Sequence, residues 1–364
     1  MAKRLFDYLN IPLQQSGARS KDILLVNPTN IAERIESPEI KITVYDYNQD
    51  EVTGYQLNHS DECLQFRDNA KISWLNIDGI KKSELELITQ YYGIHPLLLE
   101  DILSVGQRPK MDEVEDVLFC QLNMLYYNEQ KHLLESEQIS IALGKGFVIS
   151  IQEDASRDVF DPLRKRLGLA NSKIRQRQAD YLLYSMLDLI VDNYFVVMEK
   201  FALLIETLEE EVIKYSHEQT LNYLNSMRKE LIILQRNITP VRDLIAGLLR
   251  SESPLLEDRN TKYFKDIYDH ITQAFELSEN CRDMIVGIQD LYINNVNLKL
   301  NEVMKFIAVV TCLMAPATVI GGIFGMNFEV IPYTHKAWGF YAAIISMVVI
   351  PIIMLIVFKK RRWF

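Results

Sequence analysis

The feature that most constrains this chain is a pair of uncharged apolar runs near its C-terminal end. Phe306 to Met326 and Trp338 to Phe358 each cover 21 residues without a charged side chain. As helices rising about 1.5 Å per residue, each reaches about 31 Å, close to the hydrocarbon thickness of a bilayer. A buried soluble helix is the other reading, but two such runs side by side are rare in soluble domains. Charge then sets the orientation. Lys359, Lys360, Arg361 and Arg362 follow the second run, and Lys299 and Lys305 precede the first, so the positive-inside rule puts both chain ends in the cytoplasm. Trp338 and Trp363 fall near the two interfaces, where indoles prefer to lie. The opening MAKRLFDYLN has no apolar run behind its basic residues, so no leader is expected. The expected location is the cell (inner) membrane, spanned as a single helical hairpin.

Composition removes other classes. Lys+Arg number 39 and Asp+Glu 49, a net charge of −10. A nucleic-acid binder needs a basic face to displace phosphate counterions, so no nucleic-acid partner is expected. The 48 % hydrophobic and 24 % charged fractions are globular values and exclude disorder. Cys63, Cys120, Cys281 and Cys312 form no CxxC pair and read as reduced structural thiols. The six histidines show no zinc-ligand spacing, and no Ser/His/Asp arrangement or phosphate-binding glycine loop appears, so the chain does not read as an enzyme. Gly144-Lys145-Gly146 lies between two strand-like runs and reads as a hairpin turn.

The residues ahead of the membrane runs divide in two. Residues 1–165 read as an α/β domain with a mixed sheet: Lys41–Tyr47, Ile72–Ile77, Val117–Tyr126, Gln138–Leu143 and Phe147–Ile151 as strands, Ser83–Tyr92 and Pro96–Leu103 as helices. From Asp180 the strand signals stop. Residues 166–257 read as a helical hairpin region, Tyr181–Tyr215 and Gln219–Leu249, broken at Pro254. A third helix over 258–326 runs as a long stalk into the first membrane segment, about 303–325. An external loop (327–337), the second membrane segment (338–358) and a basic tail (359–364) follow. Positions 264, 267, 271, 274, 278, 281, 285, 288 and 292 of the stalk form a mostly apolar stripe at 3/4 spacing, suited to packing on neighbouring helices.

The same helix carries a second stripe at 3/4 spacing. Asp290, Asn294, Asn297, Asn301, Met304, Ala308, Thr311, Ala315, Thr318 and Gly322 make one small, polar face among bulky apolar ones. In lipid this means either tight helix–helix packing through small residues or a water-lined pore face. The asparagine run below the membrane favours the pore. A single hairpin cannot enclose a pore, so a ring of copies is expected. The membrane part of the stripe has no carboxylate, so a divalent ion passes largely hydrated, which suits magnesium. Asp290 then rings the inner end, and Met304, with Ile307, forms an apolar constriction that blocks ions by dewetting. With no ATP site, transport is expected to be passive.

Gly325-Met326-Asn327 follows the first segment directly. With GMNFEVIP (Gly325–Pro332), Trp338-Gly339 and the terminal KKRRWF, it resembles the CorA family of magnesium transporters. Gly93–Leu103, Gln107–Lys110, Ala179–Ser185, Tyr263–His270 and Asn301–Lys305 also look like that family. The resemblance implies a funnel-shaped homopentamer with a pore-lining first membrane helix and an outer ring of second helices. It implies that Gly325, Met326 and Asn327 shape the external mouth, with Asn327 meeting hydrated magnesium. It places Met304 and Ile307 at the gate, and Asn301 and Thr318 on the path. It also makes Asp101 and Asp266 ligands of regulatory magnesium between cytosolic domains, closing the pore when magnesium is high. Magnesium is thus expected both as cargo and as regulator, cobalt or nickel as further cargo, and the chain itself and the lipid bilayer as partners. Glu206–Glu211 is expected either to face the basic tail or to be a solvated face.

The chain departs from the family pattern at two points. Ile331-Pro332-Tyr333-Thr334-His335-Lys336 lacks the acid that often follows the loop's Ile-Pro step, leaving Glu329 as the loop carboxylate, and Ala315 stands before Pro316 where methionine is common. Zinc transporters of the same superfamily commonly carry Gly-Ile-Asn, so Met326 argues for magnesium. A membrane-anchored scaffold using the stalk as a coiled coil is the alternative of a different class.

Overall fold

In a computed structural model, the described residues are 36–37, 40–214, 218–327, 331–332 and 336–361. They fall into two compact units: one ends at Glu211 and resumes from 217 to Gln289, the other comprises Val212–Ser216 and everything from Asp290.

The first unit is built on a seven-stranded sheet. Its strands are β1 (Lys41–Tyr47), β2 (Val52–Leu57), β3 (Ile72–Asp78), β4 (Lys110–Val114), β5 (Val117–Asn128), β6 (Leu133–Gly144) and β7 (Phe147–Gln152). The order is β2-β1-β3-β7-β6-β5-β4, all antiparallel except β3–β7, so the sheet is mixed as the sequence predicts. Residues alternate between faces. Leu75, Ile77, Ile149 and Ile151 point to one side, into a core covered by α1 (Lys82–Tyr92), α2 (Pro96–Leu103) and the 3-10 turn Ser60–Phe66. Pro96 opens α2, where its missing N–H costs no hydrogen bond, and the His95 side chain caps Leu97 N–H at 3.2 Å. Trp74 and Ser150 point to the other side, where Trp74 Nε1 donates to Ser150 Oγ at 2.9 Å and its ring meets Phe160 edge-on. This side is closed by α3 (Asp161–Leu167) and by long helices that follow the short α4 (Lys173–Gln176).

Those long helices are α5 (Ala179–Lys214) and α6 (Glu218–Arg250), and after a 3-10 turn at Asp258–Asn260 comes α7 (Thr261–Phe324), 64 residues without a break. Tyr194 of α5 donates to Asn123 O of β5 at 2.6 Å, and Asn123 Nδ2 donates to Asn237 Oδ1 of α6 at 2.7 Å, which ties both helices to the sheet. The apolar stripe of α7 is buried from Phe264 to Ile288, as its spacing predicts. In the second unit, α7 continues to Phe324, and α8 (Ala337–Lys360) follows.

Two strands escape sequence reading. β2 is an edge strand with Gly54 and an exposed middle, and β4 (KMDEV) is a charged edge strand; neither has a buried face to impose alternation. β6 starts five residues earlier than its apolar run because Glu135 and Glu137 turn inward. Arg157 pairs with Glu135 at 2.7 Å, and the 153 and 154 N–H groups donate to Glu137 at 3.0 and 2.9 Å.

The β6–β7 hairpin closes through Lys145-Gly146, with Gly146 at φ +80°, a left-handed conformation that favours glycine. Gly144 meets a different demand. A Cβ there would lie 2.2 Å from the Phe147 ring, and that ring is pinned edge-on against Tyr92 at 4.8 Å. Gly144→Ala therefore forces Phe147 off Tyr92, and the overpacking costs about 1–3 kcal/mol, read as a lowered Tm with the membrane hairpin unaffected.

Candidate ion path and metal centre

Three described helices are long and apolar enough to cross a membrane. The apolar window of α5 is 61 % buried inside the protein, whereas those of α7 and α8 are 6 % and 0 % buried. Protein covers the apolar faces of α5; among the described residues most of the apolar surface of α7 and α8 in these windows is left uncovered, so these two are the candidates for lipid. The second corresponds to the predicted 338–358 run, and the first to the predicted run starting at Phe306.

The stripe of α7 lies open along its whole length. Asp290, Asn294, Asn297, Asn301, Met304, Ala308, Thr311, Ala315, Thr318 and Gly322 are all exposed, as is Ile307. The one covered side of the membrane part is opposite. Val309 is buried, and Leu313, Pro316, Ala317 and Ile320 are half-buried. At about 100° per residue these lie some 160° around the helix from the stripe. α8 supplies a facing row of Gly339, Ala343, Ser346, Met347 and Pro351, each at least half-buried, and Met347 Cε lies 3.7 Å from where a Cβ on Gly321 would stand. The hairpin partner thus covers the back of α7 and leaves the polar stripe free.

Local hydrogen bonds fix what the stripe offers. Thr311 Oγ1 donates to Ile307 O at 2.8 Å, and Thr318 Oγ1 donates to Met314 O at 3.0 Å. Each hydroxyl spends its proton on its own helix and presents only acceptor lone pairs outward. At the end of α7, Gly325 N–H donates to Gly321 O at 2.9 Å and Met326 N–H to Ile323 O at 3.3 Å, closing a last turn. A Cβ on Gly325 would stand 3.1 Å from the Gly321 carbonyl, a contact tighter than a side chain ordinarily makes. Asn327 follows it, exposed. Glu329, residues 333–335 of the loop and residues 362–364 of the tail lie outside the described residues.

Asp101 and Asp266 sit in different settings. Asp101, on α2, accepts from Lys110 Nζ at 2.6 Å, and that ammonium also pairs with Asp112 at 3.0 Å. Asp266, on α7, is exposed. Sequence reasoning passes over the lysine that holds Asp101, although Lys110 lies in the quoted Gln107–Lys110 run.

It also misses a denser cluster. Asp188 and Asp192 of α5 and His270 of α7 bring one ligand atom each within 4.8 Å of one another. Burial, then the Asp192 carboxylate, raises the Asp188 pKa above the ordinary aspartate value, with Asp266 adding to the rise. Two carboxylates and an imidazole that converge at this spacing form a donor set suited to a divalent cation. The signal was available: Asp188 and Asp192 are four residues apart on one helix face, and His270 ends the quoted Tyr263–His270 stretch. Only their convergence needed the structure.

Known proteins share this fold and much of this sequence. The family model described as "CorA-like Mg2+ transporter protein" matches residues 69–360. The cobalt/magnesium transport protein CorA of Thermotoga maritima is 39 % identical over 326 residues, covering 89 % of this chain and 93 % of its own. The protein of the same name from Methanocaldococcus jannaschii is 24 % identical over 294 residues, 80 % of this chain and 92 % of its own. A solved structure, the complete CorA magnesium transporter of Methanocaldococcus jannaschii, superposes with a TM-score of 0.74 at 22 % identity, covering 89 % of this chain and 98 % of that one. On the match of that model across most of its length, together with this fold, the chain belongs to the CorA family of magnesium-transporter-like proteins.

Proposed function

We propose that this protein passes magnesium, and also cobalt, passively across the cell membrane through a pore lined by the polar stripe of α7, with both chain ends in the cytoplasm. The observation that carries the reading is the stripe itself, exposed from Asp290 to Gly322 and opposite the side that α8 covers. Hydrocarbon offers no partners to the outward threonine lone pairs, and the asparagines continue the same face below the membrane, so this face meets water, and a ring of copies, a homopentamer on the family's pattern, surrounds the path. The outward acceptor lone pairs of Thr311 and Thr318 match the water hydrogens that ring a hydrated cation. Magnesium gives up that water reluctantly, so such a wall conducts it without stripping it. Asn327 meets the hydrated ion at the external mouth, beside Gly325 and Met326. Met304 and Ile307, each more than half exposed on this chain, narrow the path when the ring closes. An inside-negative potential of 100 mV drives a double charge inward by about 4.6 kcal/mol.

Regulation fits the titratable groups of the first unit. Asp188, Asp192 and His270, with Asp266 one turn away, are the residues that would hold a cytosolic magnesium ion, and Asp101 is a further ligand across a subunit boundary once Lys110 is displaced. A bound cation supplies two positive charges that offset the mutual repulsion of the carboxylates. It biases a two-state assembly toward the closed state by its differential affinity for that state.

Two outcomes test this. Proteoliposomes loaded with a magnesium-sensitive dye take up magnesium, and Asn327→Ala slows uptake by about tenfold, about 1.4 kcal/mol at the barrier; no uptake from intact oligomer removes the transport reading. Magnesium raises the Tm of the wild type and does so much less for Asp188→Asn. The pH sign follows from the raised Asp188 pKa. Without cation, the Asp188 contribution to stability is present at low pH and is lost as pH rises through its folded pKa. Cation binding has the opposite slope: it weakens on acidification from a higher pH than an ordinary aspartate would show, and Asp188→Asn removes that dependence.

A further inference from the structure

The cation cluster needs two helices held in one register, and α5 and α7 are far apart in sequence. Their contacts climb together. Tyr181 of α5 meets Tyr263 of α7 edge-on and Tyr184 meets it tilted, each with ring centroids 5.1 Å apart, Tyr184 also meets Phe264 edge-on at 6.1 Å, and Phe195 meets His270 edge-on at 6.4 Å. The two helices therefore run in the same direction, and whatever joins their first turns sets the level of everything above.

Beside the Tyr181–Tyr263 contact, a hydrogen-bonding side chain also joins those first turns. Asp180, the second residue of α5, is fully buried. Its Oδ2 accepts from the Glu257 N–H at 2.9 Å and from Asn260 Nδ2 at 2.8 Å. Asn260, itself fully buried, is the last residue before α7 and also accepts from Arg177 Nη1 at 3.3 Å. From Asp180, Asp188 and Asp192 lie about 12 and 18 Å up α5, and from Asn260, His270 lies about 15 Å up α7. This anchor thus places the imidazole level with the gap between the two carboxylates.

We propose that Asp180 is a positioning residue for cation binding: by fixing the start of α7 to the start of α5, it holds His270 in register with Asp188 and Asp192. The inference rests on the cation reading of that cluster. Stability alone does not account for an aspartate here. Among the described residues, its buried Oδ1 and the nearby buried Tyr47 hydroxyl have no hydrogen-bond partner. Burial raises the Asp180 pKa, so the folded state holds the charged form at a cost. A buried carboxylate that uses one oxygen twice and leaves the other bare is a poor stabiliser and a good spacer.

The test uses full-length protein with Cys312→Ser, Glu199→Cys and Glu276→Cys, spin-labelled at the two exposed positions and diluted with unlabelled subunits. Co2+ titration followed by its visible ligand-field band reports the cluster, and the 199–276 distance distribution reports the register. Asp180→Ala is expected to broaden the distance distribution and weaken Co2+ binding by about tenfold or more, the usual loss for a group that orients metal ligands. Asp180→Asn keeps one oxygen able to accept both hydrogen bonds and is expected to restore both readouts. Leu163→Ala, a core truncation in α3, lowers Tm and leaves both unchanged. The inference is overturned if Asp180→Ala leaves the distance distribution and Co2+ affinity as in the wild type, or if Leu163→Ala weakens Co2+ equally at the same loss of Tm. If wild-type protein shows no Co2+ band that Asp188→Asn removes, the inference falls with the cation reading, and a distance distribution that still responds to Asp180→Ala attributes that failure to the cluster rather than to the anchor.

Discussion

Hydrocarbon offers no hydrogen bonds, and this governs how the C-terminal part of the chain is arranged. Every polar group placed there must be satisfied by its own helix, by another chain or by water. The backbone of α7 and α8 meets that demand as helix, and the threonine hydroxyls meet half of it by donating to the carbonyls four residues back. What remains is the outward lone pairs of those threonines among small residues on one face of α7, continuous with the row of asparagine amides below the membrane segment. Because α8 covers the opposite face, the hairpin cannot bury this row by itself. The proposed path for hydrated ions, enclosed by copies of the same helix, would give each of these groups a partner and each copy the same role.

The first unit works under the opposite constraint, for there the charges are packed into a protein interior and must be offset. Lys110 holds Asp101, Arg157 holds Glu135, and Asp180 is held by donors from the turn before α7. Asp188 and Asp192 have His270 beside them and Arg166 acting on Asp188, with Asp266 a further negative charge. Two carboxylates converging on one imidazole make a donor set of the kind that suits a divalent cation.

How much of this was legible in the sequence depended on whether a residue's role is periodic. The two membrane helices, the α7 stripe and the buried face from Phe264 to Ile288 are spelled out by spacing on a single helix, and α2 announces itself through Pro96. The core strands β1, β3 and β7 have enough β-branched residues to be read directly. Edge strands β2 and β4 lack a buried face and left no pattern. Asp188, Asp192 and His270 each resemble a solvated helix charge until α5 and α7 are laid side by side. That pairing depends on Asp180 and Asn260, 80 residues apart, and on a tyrosine ladder no local window contains. The Gly325-Met326-Asn327 resemblance named the family because it is a contiguous motif; the contacts around Asp101 were hidden because Lys110 acts through space.

If the α7 stripe lines an ion path, it faces water in the assembled membrane protein while its flanks face lipid. The most direct measurement replaces Cys312 with serine, introduces single cysteines along α7 and records their reaction with a charged, membrane-impermeant thiol reagent in proteoliposomes under magnesium-free conditions. Modification is predicted at Ala308→Cys, Ala315→Cys and Gly322→Cys, slowed by added magnesium, with little at Phe306→Cys, Val310→Cys and Val319→Cys. Equal reactivity around the helix, or protection of the stripe with exposure of the flanks, would contradict the account and assign the stripe to helix packing instead.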